Sequence, residues 1–316
     1  MRWGITLPMQ GLSLPDHRDL VAGLTDWGYT DVWSAETAGV DAFTPLALIS
    51  QWNPGLRLGP AIVPVYTRGP ALIAQQAATV AGLAPGRFML GIGSSSPAIV
   101  ESWNGIAFEE PFKRTRDTLR FLREALTGEK VTATYDTFSV KGFRLDNAPA
   151  ERVPIALAAL RPGMLRLAAA EADAAITNWL GYEDVPKVRS VVGPDLELLA
   201  RIFVVPTEDA KAARKIGRFM ISSYLTVPVY AKFHEWLGNG PLLAKTQELW
   251  QAGDRKAANA AVPDELVDRL IIHGSPEQCV AHVRRYVEAG LTTPILAVVQ
   301  PGPDPAATLR SLSPRG

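Results

Sequence analysis

The chain has 316 residues, with 32 basic and 32 acidic side chains, 47% hydrophobic residues and one cysteine. That length and apolar content allow a large buried core and exclude a disordered or fibrous chain, and the balanced charge gives no field to draw in nucleic acid or an anionic membrane. Cys279 alone excludes an intrachain disulfide framework, MRWGITLPMQ lacks the basic and apolar regions of a signal peptide, and no apolar run nears the roughly 20 residues of a membrane span. A cytoplasmic protein with a small-molecule partner is expected.

Short apolar, often β-branched runs alternate with longer stretches of helical period, the pattern of repeated β-α units on a parallel sheet. Eight strands are predicted, at residues 2–7, 31–34, 57–63, 88–92, 154–158, 172–177, 197–205 and 294–299. Between the fourth and fifth, residues 112–126 carry a helical stripe of Phe112, Thr115, Leu119, Leu122 and Leu126, with Arg116, Asp117, Arg120 and Arg123 on the opposite face. Alternating Val131, Ala133 and Tyr135, then Phe138, Val140 and Phe143, predict a hairpin excursion within 129–151. Residues 227–263, with Trp236, Gly238, Gly240 and Trp250, read as a helical insertion able to cover a site. Before the last strand, Ser275, Pro276 and Gln278 form a cap, first-turn proline and capping box, and Gly290 is the stop. Eight such units predict one (β/α)8 TIM-barrel domain over residues 1–316, and no G-x-G-x-x-G follows the first strand to favour a doubly wound sheet.

In a barrel the site lies where the strands end, so the residues just after each run are the candidates. After the second strand, Glu36 and Thr37 offer a carboxylate and a hydroxyl for proton transfer or hydrogen bonding, or else a helix cap. After the third, Pro64, Tyr66, Thr67 and Arg68 offer an aromatic ring, a hydroxyl and a guanidinium suited to phosphate or carboxylate, or surface decoration. The fourth ends in Gly93, Ser94, Ser95 and Ser96, which suit an anion or merely a turn. After the fifth, Ala159, Leu160 and Arg161 lead into a helix whose free N–H groups face the same region, and Asn178 and Trp179 follow the sixth. Four scattered histidines without zinc-ligand spacing, a cysteine inside a helix, and the lack of G-x-S-x-G or G-K-[ST] argue against metal, thiol, hydrolase-elbow and P-loop chemistry.

The segments GPAIVPVYTRGP (59–70), AQQAAT (74–79), GRFMLGIGSS (86–95), FKRTR (112–116), PIALAALRPGMLRLAAAEAD (154–173) and GSPEQCVAHVRRYVEAGL (274–291) resemble the luciferase-like monooxygenase superfamily. Within it they are most similar to the oxidoreductases that use the deazaflavin coenzyme F420. The resemblance implies a TIM barrel with insertions, a non-prolyl cis peptide at Ala61-Ile62 behind the coenzyme ring, a phosphate-side loop at Gly93 to Ser96, and a contribution from Ala159, Leu160 and Arg161. It also implies a homodimer and hydride transfer to or from a small organic substrate. FMN-dependent oxygen chemistry and a non-catalytic flavin-binding protein are the alternatives. Several deazaflavin enzymes follow the acidic residue after the second strand with histidine; here Glu36 is followed by Thr37, so a histidine base does not carry over.

Overall fold

The computed structural model describes residues 1–315. Its strands are β1 (Gly4–Thr6), β2 (Asp31–Ser34), β3 (Arg57–Pro60), β4 (Val63–Pro64), β5 (Leu90–Gly93), β6 (Val131–Thr134), β7 (Ser139–Phe143), β8 (Ile155–Ala158), β9 (Ala174–Asn178), β10 (Glu197–Val205), β11 (Ile271–His273) and β12 (Thr293–Val298). The parallel sheet runs β3-β2-β1-β12-β10-β9-β8-β5-β4, and a parallel bridge from Leu58 to Phe88, just ahead of β5, draws its ends together. A nearly closed TIM barrel results. Its eight staves are the eight predicted strands, with β3 and β4 as two halves of the third.

Two features of the staves were not legible in the apolar runs. The third is interrupted at Ala61-Ile62, whose peptide bond is cis. In addition, β11 is an extra strand: β9 pairs with Glu197 to Arg201 of β10, and β11 takes over the same edge at Phe203 to Val205. The barrel opens by one strand there.

Inward side chains stack in layers. At the floor, Arg57 joins Asp31 to Glu197, donating to Glu197 at 2.9 and 2.7 Å, and Thr293 donates to Glu197 at 2.7 Å. Above it Trp33, Met89, Ala156, Ala174, Ile176, Leu199 and Ile295 fill the middle. Trp33 crosses the barrel only because Gly59 has no side chain: a Cβ there would lie 2.4 Å from the Trp33 ring. A Cβ on Gly91 would lie 2.0 Å from the Pro60 carbonyl oxygen. These glycines are required by close packing.

The helix Pro111–Ala125 forms as predicted, with two corrections to its faces. Phe112 is 42% exposed, and Asp117, expected outward, is buried. A helical wheel sees one helix only; the hairpin β6–β7 folds over this face and Thr137 donates to Asp117 from its backbone N–H at 2.9 Å and its hydroxyl at 3.0 Å. The capping box holds: Ser275 Oγ accepts from Gln278 N, Gln278 Oε1 accepts from Ser275 N, and Gly290 at φ 111° follows the helix Pro276–Glu288. The 227–263 insertion forms three helices, Pro228–Leu237, Gly240–Gln251 and Arg255–Ala260, after the helix Ala210–Tyr224.

Candidate active site at the barrel mouth

Parallel topology brings the carboxyl ends of all eight staves to one rim, where the predicted site residues lie. A cleft of about 640 Å³ sits at the other end, between the helix Pro70–Leu83 and the segment leading into β8, and touches none of them.

Two candidates 32 residues apart prove to be one unit. Arg68 donates to Glu36 Oε2 at 2.5 Å, and the Ala42 N–H donates to the same oxygen at 3.0 Å. Both side chains are 15% exposed, Asp41 stands 4.0 Å from the guanidinium, and Arg68 lies over the Phe43 ring. Arg68 is therefore occupied by protein carboxylates. Both donors converge on Oε2, and among the described residues no side-chain or backbone donor reaches Oε1. Thr37 is exposed beside it.

On the third stave, Ala61 and Ile62 pack against the middle layer, and Pro64 and Tyr66 continue the wall. The Tyr66 hydroxyl donates to the Glu109 carbonyl and its ring lies 5.1 Å from Phe108, tying the loop after β5 to this stave. Burial pushes the Tyr66 phenol up to about 12. It stays protonated, as its donor role requires.

The fourth and fifth staves supply uncommitted donors. Ser94, Ser95 and Ser96 are partly buried, Ser95 adopts a left-handed φ of 64°, and among the described residues none of the three hydroxyls hydrogen-bonds within the chain. Gly93 is small for packing, since a Cβ would lie 2.7 Å from Ala158 and 3.0 Å from Ile62. Next to it, Ala159 N–H is spent on Ile176 at 2.9 Å, Leu160 is partly buried, and Arg161 is exposed at the start of the helix Pro162–Glu171. Serine hydroxyls, a guanidinium and the first turn of a ten-residue helix are the donors an anionic group needs.

The far rim holds residues that the sequence reading left without a role. Arg201 interrupts the apolar run of β10 and shares its inward phase with Leu199. Near it, the Tyr230 phenol faces the Asn178 side chain, and Trp179, in a left-handed conformation at φ 56°, packs on Phe203 and Tyr224 with ring centroids 4.2 and 5.3 Å away. The available signal was one arginine in an otherwise apolar strand.

A parallel barrel with its polar groups gathered at the strand ends and a helical insertion above them defines a small-molecule enzyme scaffold. The luciferase-like monooxygenase family pattern matches residues 1–293, and the chain belongs to that family. A Mycobacterium tuberculosis protein named, provisionally, as a coenzyme F420-dependent oxidoreductase is 28% identical over 334 residues, covering 92% of this chain and 93% of the relative. The F420-dependent glucose-6-phosphate dehydrogenase 1 of Rhodococcus jostii is 30% identical, covering 82% of this chain and 79% of its own. The solved coenzyme F420-dependent tetrahydromethanopterin reductase of Methanopyrus kandleri superimposes with a TM-score of 0.80 at 18% identity, covering 98% of this chain and 96% of its own.

Proposed function

We propose that the protein is a coenzyme F420 (deazaflavin)-dependent oxidoreductase that moves a hydride between the coenzyme and a small organic substrate at the barrel mouth. The observation that carries this is the set of uncommitted donors on the fourth and fifth staves, Ser94, Ser95, Ser96 and Arg161, in a family whose similar members are named for that coenzyme. Those donors fit the phosphate of a deazaflavin side chain, and Ala61, Ile62 and Pro64 offer an apolar wall to its ring. When bound, the coenzyme supplies a two-electron carrier.

The chain's own residues do the rest. Ser94 to Ser96, the Ala159 to Arg161 turn and the helix behind it hold the phosphate side. Tyr66, anchored on Glu109, keeps the loop after β5 against the third stave. Glu36, oriented by Arg68 and Ala42 N–H, holds or passes the proton at Oε1, with the Thr37 hydroxyl beside it. Arg68 acts on Glu36 as a positioning residue. A cytoplasmic homodimer is part of the same reading, and light scattering of the purified protein would test the dimer.

The test is substitution of Ser94, Ser95 and Ser96 together by alanine. Deazaflavin affinity falls by about a hundredfold, as expected when several hydrogen bonds to a charged group are lost, while the melting temperature holds. Unchanged affinity would remove this loop from the coenzyme site.

A further inference from the structure

The geometry points to a substrate subsite on the seventh stave, in which Arg201 binds the carboxylate or oxyanion of a small aromatic or apolar molecule. The subsite rests on the reading of the mouth as the enzyme's site, and adds the chemical class of its substrate.

Arg201 is a charge without a partner among the described residues: it makes no hydrogen bond and no ion pair, and its Nε is buried with nothing to donate to. Every other arginine drawn into the barrel is neutralised: Arg57 by Asp31 and Glu197, Arg68 by Glu36. Arg201 instead has the face of Phe203, 5.0 Å from its guanidinium carbon, and the phenols of Tyr224 and Tyr230. Burial lowers its pKa, yet a guanidinium stays charged under all ordinary conditions. A buried cation left unpaired costs stability and persists where a ligand supplies the missing anion.

Its surroundings define the ligand further. Trp179, Phe203, Tyr224 and Tyr230 make an aromatic wall. Asn178 Oδ1 is fixed by Trp179 N at 3.0 Å, which turns its amide NH2 toward the Tyr230 phenol and holds that ring in the cradle. The third and seventh staves lie diametrically opposite in an eight-stave barrel, so this cradle faces Ala61-Ile62 across the mouth. A molecule held by Arg201 at one end would present its other end to the middle of the mouth. The Tyr224 and Tyr230 contributions come from the insertion and the helix before it, so these segments set how large that molecule is.

The test uses benzoate and its neutral isostere benzamide as probes of the purified protein, with calorimetry for affinity and thermal melting for stability. Benzoate is expected to bind at least about tenfold more tightly than benzamide, and Arg201→Met is expected to abolish that preference, the size of effect a charge-assisted hydrogen bond carries. Arg201→Met should also melt at or above the temperature of the unaltered protein when no anion is present. A merely structural arginine would show the reverse, a lower melting temperature and unchanged probe binding, and that result would overturn the proposal. Arg201→Lys keeps the charge but not the planar fork; a loss of about tenfold in benzoate affinity at unchanged melting temperature supports the proposal even where the methionine variant fails to fold. If benzoate does not bind and Arg201→Met weakens deazaflavin instead, the partner is a coenzyme oxygen and the substrate assignment falls. If benzoate discrimination holds while deazaflavin fails to bind the unaltered protein, the subsite stands and the coenzyme reading fails.

Discussion

Replacing Arg57 by methionine removes the one cation that joins the two carboxylates of the barrel floor. Asp31 has a fully buried side chain and would keep only Arg2, at 3.3 Å and 44% exposed, and the Thr30 hydroxyl. Glu197, 24% exposed, would keep Thr293. Orphaning buried charge costs about 3–5 kcal/mol, and the surviving donors put this case near 3 kcal/mol. At roughly 2 °C per kcal/mol for a chain of this size, the melting temperature should fall by about 6 °C at neutral pH. The pH dependence follows from Glu197. Burial alone would push its carboxyl up, but the hydrogen bonds and charge of Arg57 outweigh burial and hold it below its ordinary value. A depressed carboxyl contributes stability that is complete above the ordinary carboxylate range and is lost as pH falls through the folded value. In the variant only Thr293 and the more distant Arg2 oppose that burial and Glu197 takes up a proton more readily, so the deficit is greatest near neutrality and narrows below about pH 5. Scanning calorimetry of both proteins across pH measures this directly. A variant melting within about 2 °C of the parent at pH 7, or a deficit that widens on acidification, would refute the reasoning.

Gly91→Ala puts a Cβ 2.0 Å from the Pro60 carbonyl, a backbone atom with no freedom to retreat, so the variant should fail to give soluble folded protein, whereas Gly82→Ala, with open space around it, should express normally. Cys279 is buried and its thiol is pushed up to about 11 by burial, so a thiol reagent at pH 8 should label it only after denaturation; rapid native labelling would contradict its place in the core. His234 is fully buried, and burial lowers its pKa from 6.5 to about 4, so the unfolded chain binds the proton more readily and stability falls as pH drops between those values. His234→Gln should flatten that part of the acid-stability profile by at most roughly 3 kcal/mol, read from urea titrations; an unchanged slope would show that His234 does not set it. Glu36→Gln should remove turnover by about a hundredfold or more while sparing coenzyme affinity, the range expected of a general acid or base.

The staves and the capped final helix were legible because their signals are local: short apolar runs, a Ser-Pro-x-Gln cap, a glycine stop. What required the fold was tertiary. Glu36 and Arg68 were separate candidates in sequence and are a single ion pair in space. Asp117 looked outward because its partner, Thr137, belongs to a hairpin that the helix period does not register. Strand β11 is only three residues long, next to a helix of seven, and its pairing with β10 depends on where β9 ends. Arg201 lies inside the predicted strand 197–205 without a role in sequence, since a strand's alternation shows that a residue faces inward but not that no carboxylate awaits it there.

Tryptophan fluorescence titration of the purified protein with the deazaflavin and with FMN side by side tests the choice of coenzyme most directly. Saturable quenching by the deazaflavin at micromolar concentrations is expected, with at least about tenfold weaker response to FMN. Tight binding of FMN with none of the deazaflavin would contradict it and move the protein to the oxygen-activating side of its family.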